Sequence, residues 1–369
     1  MINIRIGDFM KLISVDKLEP GLVVSENIYT LDDRLVLPKG TVLDEKDIER
    51  IRGFSLYNIF VEDKKKSVSE KRDHNRDNPS YSERLKSTEQ FIKFKQHLEE
   101  HAEKLEETFR LLASDKVPLD VDQLTEPVYH LFVEAGGTAG VFDMLHNLRD
   151  NSDAVFVHSL NVSLISNTIA TWMRLPQEKI QLATAGGLLH DIGKMFMPTD
   201  LLNKTGRLSD YEQKLMRDHV IKGYALVRNK PIDEHIKNCV LMHHERRDRS
   251  GYPFHIPGEK MDEIASIVAI ANVYDELTSK RAGRDAICPF TVIEQFEKDG
   301  IDKYDPAAIM PFLSNIVSTF ISNRVMLNDG RTGEVIFINP VHLSKPVVKC
   351  GEEFIDLSKK RNLSIVAVV

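Results

Sequence analysis

Cysteine is scarce in this chain, and what there is does not pair. Three cysteines, Cys239, Cys288 and Cys350, lie far apart among 369 residues, with no CxxC spacing. An odd count so spread argues against a disulfide framework and fits a reducing, cytoplasmic setting. Long apolar runs are also missing. No stretch approaches the ~18 residues of a membrane span, and the nearest, Ile264–Val273, reads as a core helix. Met1 to Val15 carries scattered charge and no apolar block, so no signal peptide is expected there. Positive charge is not in excess: 49 Lys and Arg face 56 Asp and Glu, a net −7. Nucleic-acid phosphates would be repelled, which excludes bulk nucleic-acid binding but leaves room for a small basic pocket. There is no internal repeat and no response-regulator phosphorylation pattern.

What is present is a globular composition, 42% hydrophobic and 28% charged, at a length that predicts two or three units. Residues 1–65 read as a small β-rich domain. Short apolar runs (Leu22–Val24, Leu35–Leu37, Val42–Leu43, Ile59–Val61) are broken by the turn signals Pro20-Gly21 and Pro38-Lys39-Gly40, with a short helix near Glu45–Ile51. Residues 66–114 combine a charged linker with a long helix. The stretch 63–86 mixes both signs and reads as solvated. From 87 to 114, Phe91, Phe94, Leu98, Leu105, Phe109 and Leu112 recur at helical spacing. That seam either packs on the next domain or pairs with its copy in a homodimer, and the lack of a clean heptad favours packing. Residues 115–320 are a succession of amphipathic helices. Residues 321–369 return to β-like patterning: Asn328-Asp329-Gly330 between Val325–Leu327 and Val335–Ile338 predicts a hairpin, and Ile365–Val369 a last strand. The fold class expected is mostly α, a helical bundle with a small β-rich N-terminal domain and a short β-like extension.

Five histidines of the helical region stand out: His158, His190, His219, His243 and His244. His158 opens a helix that Pro176 terminates. His190 and Asp191 end a helix that begins near Pro176, with Glu178 in its first turn. His219 lies inside a helix expected from Ser209 to about Asn229, opened by a Ser209/Glu212 capping box. His243 and His244 end a helix from about Ile232, and Asn272 and Asp275 sit one turn apart on a helix over 262–280. Any one of these histidines alone reads as a core or surface residue. Two apolar helices that end in His190-Asp191 and in His243-His244 read differently. Imidazoles ligate divalent transition metals, and a carboxylate such as Asp191 can bridge two of them. Two metals ~3.5–4 Å apart can share a hydroxide and clamp a phosphodiester for in-line attack. Lys194, about one turn beyond Asp191, can stabilise charge on the phosphate.

The series His158, His190-Asp191-Ile192-Gly193-Lys194, His219, His243-His244-Glu245 and Gly251-Tyr252-Pro253 resembles the HD-GYP branch of the HD phosphohydrolase superfamily. So do the segments Lys204-Thr205-Gly206-Arg207-Leu208 and Tyr274–Ser279 followed by Arg281. The resemblance covers about residues 120–320. It implies a helical bundle holding two divalent transition metals, iron or manganese, and hydrolysis of cyclic di-GMP to linear pGpG, in some members onward to GMP. Carried over by position, it implies His158, His190 and Asp191 on one metal, with Asn272 at the place that closes this site. Asp191 would bridge to a second metal held by His219, His243 and His244. Lys194 would contact the scissile phosphate. Gly251, Tyr252 and Pro253 would shape the pocket, and Arg281 and Arg284 would bind phosphate or guanine.

Three positions depart from the family pattern. Asn272 stands where an aspartate is usual, which removes a negative charge from the first metal site. Ala154 stands where members with a third metal carry glutamate, so two metals are expected. Arg249 stands where glycine usually precedes the Gly-Tyr-Pro motif, losing backbone freedom and adding positive charge. The Asn272 exchange motivates an alternative: a catalytically weakened domain that binds the nucleotide or docks a partner. A different HD phosphohydrolase, acting on nucleoside mono- or triphosphates, is disfavoured by the Gly-Tyr-Pro motif.

Overall fold

The structure, a computed structural model, describes residues 10–14, 18–25, 27–29, 35–53, 58–62, 81–148, 155–280 and 284–369. Most of the charged linker expected after residue 62 lies outside the described residues, as do Ala154 and Arg281. The chain divides into two compact units, Met1–Glu89 and Gln90–Val369.

In the first unit the β-like patterning becomes short strands and single bridges. They are β1 (Met10–Ser14), β2 (Ile28–Tyr29), β3 (Leu35–Leu37) and, after helix α1 (Glu45–Gly53), β4 (Asn58–Glu62). β1 pairs antiparallel with β4, and β2 with β3. Isolated bridges join Val23 to Val42 and Val24 to Val61. Leu18, Val24, Ile28, Val36, Leu37, Leu43, Ile48, Ile51, Ile59 and Val61 form one buried cluster, supplied by the runs that the turns interrupt. The short helix α2 (Tyr81–Lys86) joins this unit: the Tyr81 hydroxyl donates to the Leu35 carbonyl, and Arg84 lies 3.7 Å from the buried Asp47 carboxylate.

The second unit is a helical bundle. α3 (Glu89–Ala113) buries Phe91, Phe94, Leu98, Ala102, Leu105, Phe109 and Leu112 within the chain. Phe109 of this seam packs edge-on against Phe156, and the helix meets α4 (Val121–Glu134) where His97 lies 2.7 Å from Glu134. α5 (Gly137–Leu148) leads to the centre, where α6 (Val155–Trp172), α7 (Gln177–Leu189), α11 (Glu234–Met242) and α12 (Glu263–Thr278) pack on one another. α6 is buried at every position from His158 to Ala170, the mark of a helix enclosed on all sides. Between α7 and α11 lie a 3₁₀ turn (Ile192–Phe196), α8 (Thr199–Leu202), α9 (Asp210–Arg217) and α10 (His219–Val227). The capping box forms: Ser209 accepts from the Glu212 backbone, and the Glu212 side chain accepts from Ser209. The single helix expected over 209–229 is instead broken at Asp218. His219 opens the second segment, where the backbone of Gly193 presses against its carbonyl. A Cβ at Gly193 would stand 1.8 Å from that oxygen, so only glycine admits this approach.

α13 (Pro289–Lys303) and α14 (Pro306–Ile316) complete the bundle and carry the C-terminal sheet. Its strands are β5 (Arg324–Leu327), β6 (Thr332–Asn339), β7 (His342–Cys350), β8 (Glu353–Asp356) and β9 (Ile365–Val368), in the order β8-β7-β6-β5-β9. The hairpin turns at Asn328-Asp329-Gly330, with Gly330 at φ 86°. The Glu297 carboxylate on α13 accepts from the Leu343 and Ser344 amides of β7, fixing sheet to bundle. Among the described residues no helix is long and apolar enough to cross a membrane.

Candidate metal centre

Five histidines from four separate segments meet at one carboxylate. Asp191 follows α7, is 2% exposed, and directs its two oxygens to two different groups of imidazoles. Its Oδ2 lies 3.2 Å from His190 Nε2 and 3.5 Å from His158 Nε2. Its Oδ1 lies 3.2 Å from His219 Nε2 and 3.7 Å from His243 Nε2. Two sets of donor atoms result, each within 4.8 Å of one another: His158, His190 and Asp191, and Asp191, His219, His243 and His244.

The hydrogen bonds behind the rings decide what these nitrogens offer. His190 Nδ1 sits 2.7 Å from the Gly187 carbonyl, His219 Nδ1 2.6 Å from that of Met216, and His243 Nδ1 3.0 Å from that of Cys239. A carbonyl only accepts, so each Nδ1 carries the proton and each Nε2 presents a lone pair. His158 follows the same rule with a carboxylate, its Nδ1 donating to Asp275 Oδ2 at 2.7 Å. Asp275 is held in turn by Asn161 Nδ2 and Ser279 Oγ, both 3.0 Å from Oδ1. Lone pairs therefore face lone pairs. His219 Nε2 and His243 Nε2 are 3.3 Å apart, and His158 Nε2 is 2.9 Å from Asn272 Oδ1. His190 Nε2 and Asp191 Oδ1 are buried without a hydrogen-bond partner. A buried cage of acceptors facing acceptors is what a cation satisfies, and the donor set suits a divalent transition metal.

Electrostatics point the same way. Burial pushes the His243 and His244 imidazoles well below their usual range, aided by neighbouring imidazoles, so both stay neutral. Burial alone would raise the Asp191 carboxyl. Lys194, His190 and His219 outweigh it and hold the group well below the usual carboxylate range. Lys194 stands on the 3₁₀ turn and donates from Nζ to Asp191 Oδ2.

The motif after the paired histidines folds back over them. Tyr252 donates its amide to the His244 carbonyl at 3.1 Å and stacks on the His244 ring at 4.5 Å. Burial raises its phenol above the usual range. Gly251 is required because a Cβ there would meet the Arg246 nitrogen and the His244 oxygen at 2.4 Å. The Tyr252-Pro253 peptide is cis. Arg249, where glycine was expected, takes φ 65°, so the backbone keeps the left-handed turn without a glycine. Arg284 donates to the Glu276 carbonyl, while its buried Nε has no partner. Arg281, assigned to the substrate by resemblance, lies outside the described residues.

The sequence reading gave no role to Glu245, which is fully buried. Its Oε1 accepts from the Phe254 and His255 amides at 2.7 and 3.1 Å, and its Oε2 faces the Ile256 amide at 3.3 Å. It ties the loop after the Gly-Tyr-Pro motif to the end of α11. A charge placed directly after two histidines that end an apolar helix was the available signal.

Comparisons with known proteins agree with this geometry. Residues 144–308 match the family model described as HD domain. A cyclic di-GMP phosphodiesterase of Pseudomonas aeruginosa is 31% identical over 56% of this chain and 50% of its own length. A cyclic di-GMP phosphodiesterase response regulator of Xanthomonas campestris is 34% identical over 37% of this chain and 36% of its own. A 3'3'-cGAMP-specific phosphodiesterase of Vibrio cholerae is 26% identical over 51% and 36%. The chain thus spans half or less of the length of these relatives. The solved HDG"Y"P protein from Bdellovibrio bacteriovorus shares the fold at TM-score 0.50, with 18% identity over 84% of this chain and 99% of that one. With its acceptor cage and its Gly-Tyr-Pro loop, these matches make residues 144–308 an HD domain, similar in sequence to cyclic dinucleotide phosphodiesterases.

Proposed function

We propose that this chain is a metal-dependent phosphodiesterase that opens a cyclic dinucleotide, cyclic di-GMP foremost, to the linear dinucleotide pGpG. The observation that carries the reading is the cage in which buried lone pairs of four imidazoles, Asn272 and Asp191 face one another. Relatives named for cyclic di-GMP and 3'3'-cGAMP support a cyclic dinucleotide as the substrate class. His158, His190, Asn272 and one oxygen of Asp191 would hold the first cation; His219, His243, His244 and the other oxygen would hold the second. When bound, two divalent cations, iron or manganese on this donor set, would supply Lewis acidity and activation of water for displacement at phosphorus.

The protein's own groups do the rest. Backbone carbonyls and Asp275 keep the four imidazoles in the tautomer that presents Nε2, so binding a cation requires no proton to leave them. Lys194 neutralises charge that grows on the phosphate oxygens. Tyr252, on the loop that Glu245 fastens, walls the pocket beside His244. Arg284, whose guanidinium donates to the Glu276 carbonyl, would contribute a cation for phosphate or guanine. We also place the reaction in the cytoplasm, since the three cysteines are free thiols.

A second reading rests on Asn272. With an amide in place of a carboxylate the first site lacks one negative charge, and such a domain can bind the nucleotide without turning it over. The two readings separate in one experiment. The purified protein is stripped, reloaded with Mn²⁺ or Fe²⁺, assayed for metal content, and incubated with cyclic di-GMP, with products separated by chromatography. Turnover that disappears in Asp191→Ala supports the enzyme. Tight binding with no turnover under either metal, unchanged by Asn272→Asp, makes the domain a receptor.

A further inference from the structure

Tyr252 carries a guanidinium. The Arg217 guanidinium carbon lies 5.1 Å from the Tyr252 ring centroid, and the ring itself stacks on His244 at 4.5 Å. His244, Tyr252 and Arg217 thus form a layered column that begins at a candidate metal ligand. Arg217 is the last residue of α9, two before His219, and its side chain is exposed. Among the described residues it makes no ion pair and no hydrogen bond. Several other cations of this region are engaged. Lys194 donates to Asp191, Lys204 to Glu212, Lys222 to the Phe196 carbonyl, and Arg246 to the carbonyls of His243 and Glu245.

A guanidinium laid on an aromatic ring is fixed in direction, yet its N–H donors stay available in its own plane. That is a pre-organised anion site, and the fork matches two oxygens of one phosphate. A cyclic dinucleotide presents two phosphodiesters in a single macrocycle. The cations held by the histidines and Asp191 would take the one being cleaved; the other remains ionised and needs a separate partner. We propose that Arg217 binds the second phosphate of the substrate, with Tyr252 as its shelf. The column places the guanidinium no more than about 10 Å from the His244 ring, within the reach of one small macrocyclic ligand. Arg217 is then what separates a cyclic dinucleotide from a substrate with a single phosphodiester. The proposal rests on the phosphodiesterase reading above, and its test is arranged so that the two fail separately.

The test compares the wild type with Arg217→Gln and Arg217→Lys in Mn²⁺-loaded protein. Affinity for a phosphorothioate cyclic dinucleotide is measured calorimetrically, and steady-state constants for cyclic di-GMP and for bis(p-nitrophenyl) phosphate, which has one phosphodiester. Bound metal is determined for each variant. Loss of a charge-assisted contact predicts that Arg217→Gln binds the dinucleotide about 10- to 100-fold more weakly. KM for cyclic di-GMP rises more than kcat falls, the single diester changes less than about threefold, and bound metal is retained. Arg217→Lys, keeping the charge without the fork, falls between. Equal losses on both substrates, or loss of metal, overturn the proposal, because Arg217 would then act only through Tyr252 and His244. An unchanged dinucleotide affinity in Arg217→Gln overturns it as well. If the wild type holds no metal and hydrolyses neither compound, the phosphodiesterase reading fails by itself, and the binding comparison still decides the part of Arg217.

Discussion

Replacing Asn272 by aspartate should weaken the metal-free protein and strengthen the metal-bound one. Asn272 is 3% exposed, and its Oδ1 lies 2.9 Å from His158 Nε2, which lies 3.5 Å from Asp191 Oδ2. A carboxylate oxygen at 272 would therefore sit within about 6.4 Å of that of Asp191, and at an effective dielectric of ~20 the two would repel by about 2.6 kcal/mol or more. With no cation present, Asn272→Asp should lower the stability of the chelated protein by about 2–3 kcal/mol. In a domain of this size that is roughly a 4–8 °C fall in melting temperature. A divalent cation between the carboxylates removes the repulsion, so the same change should tighten metal binding by about 2 kcal/mol or more, roughly 30-fold. Thermal scans in chelator and in Mn²⁺, with metal affinity by titration calorimetry, read both halves. A variant with unchanged melting temperature in chelator and unchanged metal affinity refutes the reasoning, since Asn272 would then not face the cation.

Three further outcomes follow from the same geometry. Arg249→Gly should stabilise the protein by about 1 kcal/mol in urea titrations, because φ 65° strains any side chain but glycine. Gly193→Ala should cost about 3 kcal/mol and reduce bound metal, because the new Cβ strikes the carbonyl of His219, which cannot move without moving a ligand. The metal-free protein should lose stability in acid. His243 and His244 stay neutral when folded but take up protons below their ordinary 6.5 when unfolded. The unfolded chain then binds more protons, so stability is flat above pH 6.5 and falls below it, by up to roughly 3 kcal/mol per pH unit for the pair. Urea midpoints in chelator at pH 7.5 and 5.5 measure the difference, and equal midpoints contradict it.

The helices that carry the site were legible because their boundaries are chemical. Pro176 opens α7, the Ser209/Glu212 box opens α9, and the apolar period of α12 needs no tertiary information. The histidine pattern was legible as a set because metal chemistry restricts residue types. What the sequence could not supply was direction. That His158 is turned by Asp275, and three other rings by carbonyls of their own turns, depends on where backbone from distant segments arrives. The break at Asp218 was invisible for the same reason, since local propensity continues through it. In the first unit, two of the short apolar runs, Leu35–Leu37 and Ile59–Val61, become strands, whereas Leu22–Val24 and Val42–Leu43 are joined only by isolated bridges beside the turns at Gly21 and Gly40. Arg217 and Glu245 act through one ring and one loop that only the folded chain brings to them.

Anomalous diffraction from crystals of the Mn²⁺-loaded protein tests the central claim most directly. The account predicts two peaks about 3.5–4 Å apart, one beside His158 and His190, the other beside His219, His243 and His244, with a separate oxygen of Asp191 on each. A single peak that Asp191 does not touch, or density for metal only elsewhere on the molecule, would contradict it.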